Sequence, residues 1–317
     1  MTQVSEIDQT ILPRMEQLSE DLGAVRRAIS DIIIGQERVI EDVLVTLLSG
    51  GHAILVGMPG VAKTRLVETL GTVLGLDERR IQFTPDLMPS DILGSEVLEE
   101  SASGHREFRF IQGPVFCQLL MADEINRASP RTQSALLQAM QERQVSVAGQ
   151  RLDLPRPFHV LATQNPVEQE GTYPLPEAQL DRFLLQIDVD YPARDAERQV
   201  ILSTTSANEA TPKTVLSAER LMEAQRLIKK IPVGESVVNA ILDIVRSARP
   251  SQSEFETIRQ YVVWGPGPRA GQALMLDARL MSTGANRSII YYSITYNFLT
   301  AALSRHHYGR SGHLLSL

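Results

Sequence analysis

The chain has 317 residues, 43% hydrophobic and 22% charged, enough for one large core or two smaller ones in an ordinary globular protein. Its formal net charge of -7 and pI near 5.5 argue against a duplex-binding face over the whole molecule, though not against a local basic channel. A single cysteine, Cys117, excludes an intramolecular disulfide framework, and no apolar run approaches the roughly 20 residues of a membrane span.

Met1 to Glu20 carries Glu6, Asp8, Glu16 and Glu20 and no apolar stretch, so the expectation is a reduced, cytoplasmic setting without a signal peptide. Ile11, Met15, Leu18, Leu22, Val25 and Ile29 recur at three- and four-residue spacing, predicting a helix from about Ile7 to Ile33 in an N-terminal segment over residues 1–33. A second helix runs from Glu37 to Leu48 and stops at Ser49-Gly50-Gly51. His52 to Val56 is a short apolar run bounded by glycines and reads as a buried parallel strand. Helical spacing resumes from Val61 to Leu74, so strand, glycine loop and helix open an α/β unit. Cys117 to Ala122 and Phe158 to Thr163 are further buried-strand candidates, with a helix from Ser129 to Glu142 between them. Two hairpin-like stretches interrupt the pattern: Asp91 to Gln112, turning near Ser101 to Gly104, and Gln144 to Leu154, turning at Ala148-Gly149-Gln150. His105, Arg106 and Arg151 could lend these hairpins a local basic character. After Tyr191-Pro192 the texture turns helical, over Asp195 to Thr204, Ala218 to Lys230 and Glu235 to Ala248. That places an α/β core at residues 34–204 and a helical domain at 205–317.

Gly57-Met58-Pro59-Gly60-Val61-Ala62-Lys63-Thr64 carries the central chemistry. Small residues let consecutive backbone N–H groups turn inward around a phosphate, and the helix that follows adds its dipole. Lys63 would reach the β- and γ-phosphates of ATP, and the Thr64 hydroxyl would ligate Mg²⁺. Alanine stands at position 62, where such loops carry glycine; alanine can keep helical φ/ψ, so the loop should survive. A glycine-rich turn that happens to precede Lys-Thr is the plainer reading, and the flanking strand and helix count against it.

Leu119 to Ala122 leads into Asp123-Glu124, placing two carboxylates at the edge of an open α/β sheet where ligands bind. Asp123 would hold Mg²⁺ through water and Glu124 would act as general base toward the attacking water. Alternatively the pair merely caps the next helix.

Ala122 to Val145, reading Ala-Asp-Glu-Ile-Asn-Arg-Ala-Ser-Pro-Arg-Thr-Gln-Ser-Ala-Leu-Leu-Gln-Ala-Met-Gln-Glu-Arg-Gln-Val, resembles the MoxR family signature of the AAA+ ATPases almost word for word. So do Ala162-Thr163-Gln164-Asn165-Pro166 and Glu170 to Phe183, with Ile34-Gly35-Gln36-Glu37 and Gly50-Gly51-His52 upstream. The likeness spans about Ile33 to Ala278. It implies an AAA+ module, a parallel α/β core followed by a smaller helical lid, that hydrolyses ATP with Mg²⁺ as a homo-oligomeric ring, most simply a hexamer. It also implies a chaperone-like remodeller of a client complex, often with a von Willebrand factor A partner, and the acidic balance weighs against nucleic acid as a partner.

By the same resemblance Gln36 and Arg65 join residues 57–64 around the nucleotide, and Asn165 matches sensor 1. Arg182 matches the arginine finger, supplied in trans to a neighbouring subunit. Residues alone would sooner read Arg182 as a surface salt bridge with Asp181 or Glu177. Arg269 matches sensor 2, in cis or in trans. A chelatase-type motor subunit, a nucleic-acid motor and a non-hydrolysing nucleotide-gated scaffold remain as alternatives.

Beyond Asp277 no acidic residue occurs through Leu317, and Ser288 to Tyr296 is strand-prone where the family would continue as an amphipathic helix. Segment 278–317 is therefore expected to be atypical and poorly packed, as though read from a shifted frame. His306, His307 and His313 lack an acidic or cysteine ligand, so no metal site is expected there.

Overall fold

The computed structural model describes residues 4–281, apart from 101–105, 148, 169–170, 206–210 and 264. Helices α1 (Val4–Ser30) and α2 (Glu37–Leu48) precede strand β1 (Ala53–Gly57), and α3 (Lys63–Val73) leads to β2 (Glu78–Gln82). The short α4 (Pro89–Leu93) opens into β3 (Gly94–Glu100) and β4 (Arg106–Gln112). Then come β5 (Leu119–Asp123), α5 (Pro130–Glu142), β6 (Gln144–Val147), β7 (Gln150–Asp153) and β8 (His159–Gln164). The chain continues through α6 (Glu177–Leu180), β9 (Leu185–Val189), α7 (Arg194–Thr204), α8 (Ala218–Lys230), α9 (Glu235–Ser247), α10 (Glu256–Tyr261) and α11 (Pro268–Met281).

Five strands make one parallel sheet in the order β2-β5-β8-β1-β9. The central strands are covered on both faces, which is why they read as unbroken apolar runs. Leu136, Leu137, Ala139 and Met140 of α5 pack with Ile54, Leu120, Ala122, Val160 and Ala162, while α3 lies against β2 and β5. The edge strands β2 and β9 escape a search for apolar runs. In Glu-Arg-Arg-Ile-Gln of β2 only Ile81 is buried, because an edge strand keeps much of its surface in water.

Both hairpin-like stretches form antiparallel pairs, β3–β4 and β6–β7. Their tips at 101–105 and at Ala148 lie outside the described residues. On β3–β4, Arg106 pairs with Glu100 and Arg109 with Glu99, each at 3.3 Å, while His105 lies outside the described residues.

The chain divides into two units, Glu20–Arg226 and a second drawn from both termini, whose described residues are 4–19 and 227–281. The described residues between 204 and 226 therefore belong to the sheet-bearing unit. Val215 and Leu216 donate N–H bonds to Val73 O at the end of α3, and Arg220 pairs with Asp21 at 3.0 Å. The second unit is helical, with Ile241, Val245 and Leu274 packing α9 on α11. The unusual residues from 282 onward, with their histidines, lie outside the described residues. No described helix is long and apolar enough to cross a membrane.

Two buried histidines lock the starts of β1 and β8 together. His52 Nδ1 accepts the Val160 N–H at 2.9 Å, so its proton sits on Nε2. His159 Nδ1 donates to Gly51 O at 2.8 Å, and its Nε2 accepts from Gln225 Nε2 at 3.1 Å. A second proton on either ring would set donor against donor. Burial pushes His52 down to about 3, helped by the neighbouring His159 and Arg143, and His159 down to about 4. The unfolded chain takes up these protons near pH 6.5, so each histidine costs about 1.4 kcal/mol of stability per pH unit below that, until its folded value is reached. Asp277, raised to about 6 by burial, works the other way but in the second unit. Denaturant midpoints of the wild type should fall steeply from pH 6.5 to 5, and His159→Asn, weaker at pH 7, should show a clearly shallower slope. Parallel slopes would mean that these protons do not couple to unfolding.

Candidate nucleotide-binding and hydrolysis site

Because the sheet is parallel, β1, β8 and β5 end on one edge, with β8 between the glycine loop and the Asp123-Glu124 pair. Gly57 closes β1 against β9; a Cβ there would stand 2.4 Å from Val189 O. Gly60 turns the loop at φ +84° with open space around it. Met58 and Val61 flank the exposed Pro59-Gly60 tip, and the eleven-residue α3 starts at Lys63, so the N–H groups of its first turn, which the helix ladder does not use, lie next to the loop. Lys63 Nζ donates to Gly57 O at 2.6 Å and Met58 O at 2.8 Å. Burial lowers its pKa while the charges of Asp123 and Glu124 push it back up, so both carboxylates lie within electrostatic reach of the amine. Thr64 and Arg65 follow on the first turn of α3, both half-buried.

One expectation is corrected here. Ala62 does not keep right-handed helical angles: it sits at φ 62°, ψ 23°, the left-handed region that glycine reaches freely. A Cβ in that region costs roughly 1–2 kcal/mol, so the loop forms despite its alanine and holds local strain.

Glu124, also left-handed at φ 55°, swings its side chain off the end of β5. Its Oε2 accepts from Gln82 Nε2 at 2.7 Å and Arg127 Nη1 at 2.9 Å. Asp123 is 8% exposed and bonded at both oxygens, Oδ1 by Thr163 Oγ1 at 2.5 Å and Oδ2 by Arg80 Nη2 at 2.6 Å. Thr163 also accepts the Glu124 N–H at 2.9 Å, tying β8 to the carboxylate turn. The helix-capping alternative fails, because Ser129 caps α5 through the Thr132 N–H and Glu124 makes no side-chain cap bond.

Asn165 follows β8 directly, the strand next to β5, is buried, and accepts the Val167 N–H at 3.2 Å. Gln36 precedes α2 and donates to Asp190 O at 2.7 Å, just past the end of β9, the strand that pairs with β1. Arg182 lies in the turn after α6, its N–H bonded to Gln179 O, just before the chain enters β9. Arg269 is the second residue of α11, in the other unit. Arg80, Gln82, Arg127 and Thr163 were not singled out from the sequence. The first two stand on the polar edge strand, and the others lie inside motifs whose roles fall to their neighbours.

The donor set suits a nucleoside triphosphate with a divalent cation. Backbone N–H groups of the loop and first turn and Lys63 could take phosphate oxygens, while Thr64 and Asp123 offer the hard oxygens that Mg²⁺ prefers.

The sequence model of the ATPase family associated with various cellular activities (AAA) matches residues 52–185. Chaperone MoxR1 of Mycobacterium tuberculosis is 42% identical over 279 residues, covering 87% of this chain and 73% of that protein. Protein MoxR of Methylorubrum extorquens is 30% identical over 254 residues, 78% of this chain and 68% of its own. A crystal structure of a Cytophaga hutchinsonii protein assigned as an ATPase superposes with a TM-score of 0.80 at 35% identity, over 93% of this chain and 89% of that one.

Proposed function

This chain belongs to the MoxR family of AAA+ ATPases, and on that premise we propose that it hydrolyses ATP with Mg²⁺ in a ring of copies, six by preference, to remodel a client protein complex. The observation that carries the reading is the convergence of Lys63 with the Asp123-Glu124 pair at one sheet edge, with the strand leading to Asn165 between them.

Lys63 would exchange two loop carbonyls for β- and γ-phosphate oxygens, keeping its hydrogen bonds while meeting negative charge. Mg²⁺, when bound, would neutralise charge on those oxygens. Thr64 and Asp123 would hold it, and residues 57–62 with Arg65 and Gln36 would line the nucleotide. Glu124 would accept the proton of the attacking water, which Asn165 helps to orient. Arg182 would serve the site of a neighbouring copy, and Arg269 would act as the sensor 2 arginine, in cis or in trans.

Leu98 and Phe108 face each other across β3–β4 and are 52% and 72% exposed, apolar surface that suits a macromolecular client. A von Willebrand factor A partner and a cytoplasmic setting complete the proposal.

The test is ATPase rate per subunit against protein concentration, in Mg²⁺ and in EDTA. Shared sites require a rate per subunit that rises with concentration to a plateau and vanishes in EDTA. A rate per subunit independent of dilution below the assembly range would rule out catalysis by a ring.

A further inference from the structure

The carboxylate assigned to Mg²⁺ already has a cation on it. Arg80 donates twice to Asp123 Oδ2, from Nη2 at 2.6 Å and from Nε at 3.2 Å. The opposite oxygen, Oδ1, is taken by Thr163 at 2.5 Å. Edge-strand geometry explains the placement: β2 pairs in parallel with β5, Arg80 opposite Met121 and Gln82 opposite Asp123. Side chains two apart share a face, so Arg80 and Gln82 project together while Ile81 points into the core. The arginine side chain is 47% exposed and the aspartate side chain 12%, so the guanidinium can swing into water while the carboxylate stays in place. The contact reaches the second carboxylate too: Arg80 Nη2 donates to Gln82 Oε1 at 3.1 Å, and Gln82 Nε2 donates to Glu124 Oε2.

We propose that Arg80 is a positioning residue that competes with Mg²⁺ for Asp123, so that metal-nucleotide binding must displace the guanidinium and thereby frees Gln82 from Arg80. The inference rests on the reading of Asp123 as the metal-facing carboxylate. A divalent cation whose bound water sits at that oxygen needs the place the guanidinium holds at 2.6 Å, and the two positive charges repel each other in a partly buried site, where screening is weaker than in water. Arg80 stabilises the buried charge of Asp123 when metal is scarce, and Mg²⁺ takes over that role when it binds.

The competition has a sign that a purely structural arginine would not give. The full chain is titrated with a fluorescent non-hydrolysable ATP analogue in Mg²⁺ and in EDTA, and the ratio of the two affinities is compared across variants. Arg80→Met keeps the aliphatic stem and removes the competitor, so its ratio should rise about fivefold to tenfold over wild type. Its melting temperature should drop in EDTA and recover in Mg²⁺ with nucleotide. Arg80→Lys, a single point charge without the fork, should fall between the two, and it carries the test if Arg80→Met does not fold. An unchanged or lowered ratio in a folded variant overturns the proposal, since an arginine that only braces the site would weaken metal-dependent binding when removed. No binding of the analogue to wild type under any condition would instead overturn the nucleotide reading itself, and this inference with it.

Discussion

Replacing Glu124 by glutamine should leave nucleotide bound and all but abolish turnover, lowering the ATPase rate by about 10²- to 10⁴-fold, the share ordinarily contributed by a positioned general base. Glutamine keeps the length of the side chain and one oxygen that can still accept from Gln82 and Arg127, so the turn after β5 should hold. The bond from the Glu124 N–H to Thr163 Oγ1 uses only the backbone of residue 124 and survives the exchange. What disappears is the basicity that takes a proton from water. Equilibrium binding of ATP and steady-state phosphate release, measured on one preparation, separate the two effects. A rate within a few-fold of wild type would remove Glu124 from the role of base. Weakened binding together with lost turnover would point to a collapsed site.

That glutamate was legible in the sequence because it ends an apolar strand downstream of a lysine-bearing glycine loop, and because the stretch from Ala122 to Val145 resembles one family so closely. Its surroundings were not. Central strands announce themselves by continuous burial, whereas β2 offers Glu-Arg-Arg-Ile-Gln, which no apolar pattern marks as a strand. Arg80 and Gln82 thus had no position in space until β2 paired with β5. Ala62 shows a different limit: the residue type favours ordinary helical angles, but closure of the loop against α3 overrides that preference. The change to helical texture after Tyr191 marks where secondary structure changes. Membership of a compact unit depends instead on docking bonds such as Leu216 N–H to Val73 O, which only the folded chain displays.

Arg182→Ala carries the other large expected effect, a loss of about 10³- to 10⁵-fold in turnover, the range for arginine fingers that stabilise charge developing on a transferred phosphoryl group. Its place in the turn before β9 leaves the backbone bonds of that turn intact in the variant, so the fold should be kept. Low activity alone would not show that the arginine serves a neighbour's site; mixing two inactive proteins would. If the site is shared as proposed, each one needs Glu124 from one copy and Arg182 from the next. In a random equal mixture of Arg182→Ala and Glu124→Gln chains, half the copies supply an intact base and half of their neighbours supply an intact arginine. About a quarter of the sites, one half times one half, then recover both groups, because each copy in a closed ring presents its site to one neighbour and its arginine to the other. Mixed samples should regain ATPase activity toward that fraction of wild type, while each variant alone stays near background. If Arg182 acted within its own chain, every copy in the mixture would still lack one of the two groups and mixing would restore nothing.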